Sequence, residues 1–277
     1  MSRIPALVLV SVLAWATGST PAALAATLPD PIEVTFAAAD SVPLAGRWYP
    51  GADTLAIVVA PRERGGEAAR ARAVEAFRGC GYSVLTFDYR DIDPRTASLR
   101  DSLRFIVFAS RWVDDMVGAL RLARERTGPR GRVFAWGQMV GGSVAVAAAA
   151  RSRDLCDALV VEGLMLSTEE HLARIGTAGQ PQIVDAHRRL VRDRDQPGSA
   201  ASRARVPIYV VMAGRDSVVP ITTTKEVYRG RRARTEILSL PEAGHEDAAD
   251  APRYFETVCR WLRRFQTGPR ETADWRR

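Results

Sequence analysis

The sequence predicts an α/β fold in which a doubly wound, mostly parallel sheet is flanked by helices and carries a small cap insertion. Three observations predict it. Short, continuous apolar runs of β character alternate with stretches of helical period. The 277 residues, 47% of them hydrophobic, suffice for one large core and are too apolar for a disordered tail. No internal repeat or long low-complexity tract divides the chain, so residues 26–277 read as a single domain.

The first segment reads as an address label. Arg3 precedes the apolar run Ile4 to Thr17, and Ala23-Leu24-Ala25 offers the small-x-small pattern of a signal-peptidase site, so residues 1–25 are assigned to a signal peptide cleaved before Ala26. The run falls short of the ~20 apolar residues that cross a bilayer, and no cysteine follows the small residues. Neither a stable membrane anchor nor a lipid anchor is therefore expected. The mature protein is expected to be exported, to the periplasm or the medium.

Next come Ile32 to Phe36 and Leu44 to Tyr49, which flank a turn at Ala39-Asp40-Ser41 and read as an N-terminal hairpin. Leu55 to Ala60, Tyr82 to Phe87, Arg132 to Trp136, Ala158 to Leu164, Pro207 to Ala213 and Thr235 to Leu240 are compact apolar runs of the kind that a parallel sheet buries on both faces. Val113, Met116, Val117 and Leu120 recur at helical spacing, as do Phe255, Val258, Leu262 and Phe265, and both stripes are core positions. Residues 167–205 break the alternation. They hold an amphipathic piece around His187 to Val191 and a polar Asp-Gln-Pro-Gly-Ser segment, read as a cap over the sheet edge. The tail from Thr267 is polar and expected to fray.

Charge excludes one class of function. Lys+Arg 39 against Asp+Glu 32 gives +7, almost all of it from arginine, since Lys225 is the lone lysine. The arginines are interleaved with carboxylates instead of forming a basic stripe, which argues against a nucleic-acid partner. Cys80, Cys156 and Cys259 are too few and too far apart for a disulfide framework; at most one pair forms, and Cys156 and Cys259 read as small core fillers. No CxxC or HxxxH spacing points to a metal, and Gly65-Gly66 and Gly141-Gly142 lack the spacing and acidic partner of a dinucleotide or phosphate loop. No cofactor is expected.

In an open parallel sheet the chemistry gathers beyond the carboxyl ends of the strands. Arg132 to Trp136 runs into Gly137-Gln138-Met139-Val140-Gly141-Gly142, followed by the alanine-rich helix Ser143 to Ala150. A strand, a tight glycine-bracketed turn and a close-packed helix match the G-x-S-x-G nucleophile elbow. Here the chain resembles the α/β-hydrolase superfamily, from about Ile32 to Phe265, and in pattern it is similar to exported, short-cap hydrolases of the serine-aminopeptidase-like group. Phe87-Asp88-Tyr89-Arg90, Val161-Glu162-Gly163, the run Gly214 to Pro220 and Gly244-His245 follow in that superfamily's order.

The resemblance implies a hydroxyl activated by an imidazole, whose tautomer and charge a carboxylate supports. Asp216 and His245 take the second and third roles. As isolated residues, Asp216 has the plainer reading of a loop cap and His245 that of a loop residue bound to a carbonyl. The first role falls to Met139, a thioether with no proton to surrender. The loop that reads His-Gly-x-Gly in the superfamily is Pro61-Arg62-Glu63-Arg64-Gly65-Gly66 here, so proline lacks a donor and Arg62 brings bulk to the oxyanion position. The Val140 amide remains as an oxyanion donor.

Other polar residues read as structural. His171 and His187 belong to the cap surface, Asp88 and Glu162 are carboxylates placed to accept loop amides, and Ser143 lies a turn into its helix. Ser167 has no assigned place. A dehalogenase-type aspartate and a thiol nucleophile are both excluded by Met139. Two functions remain. One is a degenerate ester or amide hydrolase with weak or no activity, holding a small apolar ester- or amide-like ligand or a partner. The other is a slow hydrolase in which the His245–Asp216 dyad activates water.

Overall fold

The computed structural model describes residues 28–62, 66–90, 99–164, 167, 192–229 and 234–268, with side chains between 99 and 127 described from residue 111 onward. The leader, His171, His187 and the last nine residues lie outside the described residues. Strand β1 (Ile32–Ala37) pairs antiparallel with β2 (Pro43–Tyr49), and alternate residues of both are buried, so the expected hairpin forms. Beyond it, β3 (Ala52–Ala60), β4 (Tyr82–Phe87), β5 (Arg132–Gln138), β6 (Ala158–Glu162), β7 (Ile208–Ala213) and β8 (Thr235–Leu240) run parallel to one another. The eight strands form one sheet in the order β1-β2-β4-β3-β5-β6-β7-β8. This is the predicted doubly wound architecture.

The continuous apolar runs follow from helices covering both faces. Ala56 and Val58 of β3 turn toward helix α2 (Leu99–Thr127) and helix α3 (Met139–Arg151), meeting Trp112, Met116 and Leu120. Ile57 and Val59 turn the opposite way, toward α1 (Glu67–Gly79) and the helix Tyr254–Leu262, where Phe77, Val258 and Leu262 pack. A residue on either face of such a strand meets hydrocarbon, so alternation disappears from the sequence. Strand β8 is the exception. It lies at the sheet edge, only partly buried along its length, with Ile237 51% exposed, and so departs from the expectation of burial on both faces.

The end of the stretch read as a cap packs into the body. Helix α4 (Pro197–Arg203) buries Ala200 and Ala201 in the same cluster as α3, and the neighbouring Asp195 accepts from Arg151 Nε at 2.8 Å. Small residues at these positions let α4 approach α3 closely. Helix α5 (Ile221–Tyr228) follows β7 and buries Val227 in the same cluster; α6 is the helix Tyr254–Leu262. Among the described residues no helix is long and apolar enough to cross a membrane.

The cysteines correct one expectation. Cys259 is not a lone core filler but is bonded to Cys80, across a sequence separation of 179 residues. The pairing follows from the fold, because α1 and α6 lie side by side on one face and bring Cys80 to Cys259. Cys156 is a buried free thiol whose ionisation burial pushes up to about 12, an inert filler as expected.

Closing so long a loop restricts the unfolded chain by about 5 kcal/mol in the chain-entropy description, and measured effects of native bridges run at roughly 2–5 kcal/mol. The double variant Cys80→Ser/Cys259→Ser is expected to lose about 2–5 kcal/mol in urea unfolding. Wild-type protein in reducing buffer should unfold at the same midpoint as the variant.

Candidate active site

Five segments leave the carboxyl ends of β3, β5, β6, β7 and β8, and all five predicted site residues, Arg62, Met139, Val140, Asp216 and His245, sit on them. The central one is the turn from β5 into α3. Met139 holds φ at +50°, in the left-handed region, immediately after the extended Gln138 at φ −105° and ψ 144°. A non-glycine residue there costs on the order of 1–3 kcal/mol, which the surrounding packing must offset. Gly137 and Gly141 make the bend possible: a Cβ on Gly137 would lie 2.6 Å from the Gly141 carbonyl carbon, and one on Gly141 would lie 2.5 Å from the Pro61 oxygen. The elbow read from the sequence is therefore present. Its apex is a buried methionine, 3% exposed.

Asp216, three residues beyond β7, and His245, five beyond β8, come together. His245 Nδ1 lies 2.9 Å from Asp216 Oδ2 and 3.0 Å from Oδ1. The backbone amides of Val218 and Val219 also donate to Oδ1, at 2.8 and 2.7 Å. A carboxylate only accepts, so Nδ1 carries the hydrogen that donates to Asp216. Gly163, with φ +62° in the left-handed region, lies beside both the dyad and the elbow. A Cβ at that position would contact Asp216 Oδ2 and Met139 Cγ, each at 3.9 Å. The parallel order of β7 and β8 brings together the two loops whose residues the resemblance pairs.

Arg62 folds over the elbow. Its Nη2 lies 3.2 Å from the Met139 sulfur and 3.5 Å from Glu246 Oε1, beside His245, while its Nε is buried without a partner. The side chain is only 12% exposed. The bulk expected at the oxyanion loop is thus a cation laid against the thioether. Val140 lies in the first turn of α3, where no side chain caps the helix and the first amides have no acceptor within it.

The remaining polar residues have clear partners. Asp88 accepts from Arg70 at 2.6 Å and Glu162 from the side chains of Gln138 and Tyr254, at 3.0 and 3.2 Å, so neither carboxylate holds the loop amides expected of it. Ser143 donates to the Met139 carbonyl at 3.3 Å inside α3, and Ser167 is half-buried. Arg90, in the Phe-Asp-Tyr-Arg segment, ties the hairpin turn to α2 by gripping Asp40 and Asp115.

The sequence profile of the dienelactone hydrolase family matches residues 48–259. The chain belongs to that family. Its α/β-hydrolase fold is shared with an esterase of Pyrococcus furiosus, at 16% identity and a TM-score of 0.66 over 86% of this chain and 93% of that one. An acylaminoacyl peptidase of Pyrococcus horikoshii superposes at 17% identity and 0.67, over 90% of this chain and 44% of that longer one. An uncharacterized protein of Mycobacterium tuberculosis is 26% identical over 235 residues, 83% of this chain and 77% of its own.

One part of the site, within this family fold, has no signal in the sequence. Gln138 and Glu162 end adjacent strands in register, and Trp136 donates to Tyr254, which donates to Glu162. Burial pushes the Glu162 carboxyl up to about 7, while the Gln138 and Tyr254 hydrogen bonds and the Arg62 charge pull it down and Asp216 pushes it up. Its ordinary value is 4.5. Between these values the native state keeps a proton that the unfolded chain releases, so stability falls as pH rises from about 4.5 to about 7. The loss is on the order of 3 kcal/mol. Glu162→Gln should flatten this slope and raise the melting temperature relative to wild type above pH 7, read by thermal melts from pH 5 to 8.

Proposed function

We propose that this protein is an exported member of the dienelactone hydrolase family that has lost covalent hydrolysis and keeps its site to hold a small ligand. Met139 carries the proposal. Covalent catalysis needs a nucleophile at the elbow, and a thioether has neither a proton for His245 to remove nor a stable acyl product. Arg62 adds to the loss, since it lies over the sulfur where compact backbone would receive an oxyanion. A methionine is also a good apolar pocket lining. Export is supported by the leader pattern and by the Cys80–Cys259 bridge, a bond that persists in oxidising compartments.

A second reading is favoured by a single observation, the His245–Asp216 pair held at 2.9 Å. Under it, His245 Nε2 takes a proton from water, which attacks an ester, amide or lactone directly. General-base help of this kind gives about 10² to 10⁴ in rate, well short of a complete triad.

Short-chain nitrophenyl esters separate the two. Wild-type mature protein should turn over at the buffer rate, and Met139→Ser should restore only partial activity. Adding Arg62→Gly should raise that activity about tenfold or more, because an oxyanion interaction is worth on the order of 3 kcal/mol. His245→Ala in the double variant should abolish it. Wild-type turnover that vanishes in His245→Ala would replace the proposal with the second reading. Full family-level activity from Met139→Ser alone would remove Arg62 from the account.

A further inference from the structure

The loops of a parallel sheet divide between its two ends, and in this protein charge divides with them. At the carboxyl end, around the site, Glu67, Asp88, Glu242, Glu246, Asp247 and Asp250 are exposed. Cations near them are matched: Arg70 holds Asp88, Arg72 holds Asp250 and Arg215 holds Glu242. At the amino end the balance reverses. Arg130 precedes β5, Arg153 precedes β6, Arg229 follows α5 ahead of β8, and Arg263 follows α6. All four are exposed, and none pairs with a carboxylate among the described residues. Arg126, also exposed, lies over the Trp48 ring, 5.1 Å from its centroid.

Two further arginines, Arg234 and Arg264, share one carboxylate, Glu236 at the start of β8, at 2.7 and 2.8 Å, and stay 44% and 42% exposed. Arg132 at the start of β5 donates to the Gly268 carbonyl, so the segment after α6 crosses this end from β8 to β5 and carries Arg263 and Arg264 with it. The ends of β5 to β8 alone span about 15 Å. Carboxylates exposed at the same end, Asp53, Glu125, Asp154 and Glu226, are outnumbered. Cations interleaved with carboxylates along the sequence are thus gathered by the fold. A basic residue in the last turn of a helix complements its dipole, but Arg130 and Arg234 lie in loops beyond that turn.

We propose that the amino end of the sheet is a docking face for an anionic phospholipid bilayer. Guanidinium groups pair with phosphate in a fork. Spread over several loop tips instead of lining one groove, they match a plane of headgroups better than a strand of nucleic acid. An anionic leaflet attracts each arginine near it within a Debye length, about 8 Å at physiological salt. With acids at one end and arginines at the other the molecule is a dipole, so the field turns the amino end to the bilayer and leaves the elbow and the His245–Asp216 pair facing away. The attachment is peripheral and reversible, needs no spanning helix, and is independent of whether the site catalyses.

Co-sedimentation of the mature protein with vesicles tests the proposal. Phosphatidylcholine vesicles with about 30% phosphatidylglycerol should carry the protein down at about 50 mM salt, and phosphatidylcholine alone should not. Raising the salt to about 500 mM should weaken binding at least tenfold. Arg130→Glu/Arg153→Glu/Arg229→Glu should also weaken it at least tenfold. Arg47→Glu/Arg72→Glu/Arg215→Glu changes the net charge equally but away from the amino end, and should stay within about threefold of wild type. Thermal melts report whether both variants fold. If the first does not, the wild-type lipid and salt comparisons decide together with Arg130→Glu alone, which should bind about fivefold more weakly. No sedimentation with anionic vesicles, equal sedimentation with neutral ones, or equal losses in the two triple variants would overturn the proposal. Retention on heparin or DNA without vesicle binding would overturn it too, and would assign the face to a soluble polyanion.

Discussion

Everything at the site depends on one backbone constraint, the left-handed residue at the top of β5. With φ +50° at Met139, the chain reverses from strand to helix within one residue, and the side chain is thrust up at the carboxyl end of the sheet, where the loops after β3, β6, β7 and β8 converge. The cost of that conformation is met by the close approach of Gly137, Gly141 and the Pro61 carbonyl, and by the sheet that buries α3. Such strain persists where its surroundings over-determine it. Here it persists with a side chain that cannot use it for attack.

The apex of the elbow holds a pairing of opposite character to a nucleophile and its oxyanion donors. A hydrolase of this fold places a proton donor at the apex and neutral backbone amides around the developing oxyanion. In this chain a polarisable sulfur occupies the apex and a fixed positive charge lies 3.2 Å from it. The local field therefore still favours negative charge, but as a permanent property of the resting protein and not one reserved for a transition state. Stabilising a ground-state anion is a binding function, since a group that is equally attractive before and during reaction lowers no barrier.

Much of this was legible in the sequence, and the reasons are physical. All eight strands were readable because short apolar runs and strict alternation leave a composition signal, and the elbow was readable because a tight bend demands glycines at set offsets. β8 was misjudged as fully covered, since its composition resembles its neighbours and only its position at the edge exposes Ile237. The Cys80–Cys259 bond and the chain from Trp136 through Tyr254 and Glu162 to Gln138 join residues far apart in sequence, and no local pattern announces them. Arg62 was recognisable as an intruder in a glycine-rich loop. That its guanidinium would find a sulfur in place of a carboxylate was not.

The survival of Asp216 and His245 is weak evidence that chemistry survives, because Asp216 has structural duties of its own. Its Oδ1 receives the amides of Val218 and Val219 and organises the loop that leads into α5, while the carboxylate is 3% exposed and also receives the imidazole. Removing it would orphan two buried or half-buried donors, a penalty of about 1–3 kcal/mol for each that ends up desolvated and unpaired. Selection for a folded loop is enough to retain the aspartate, and an imidazole that finds a ready acceptor adds to that loop at little cost. The Met139 side chain accepts no backbone amide; its buried sulfur lies against Arg62 Nη2 at 3.2 Å. Of the three positions, the apex is the one whose side chain takes no part in these loop hydrogen bonds, and here it is a methionine.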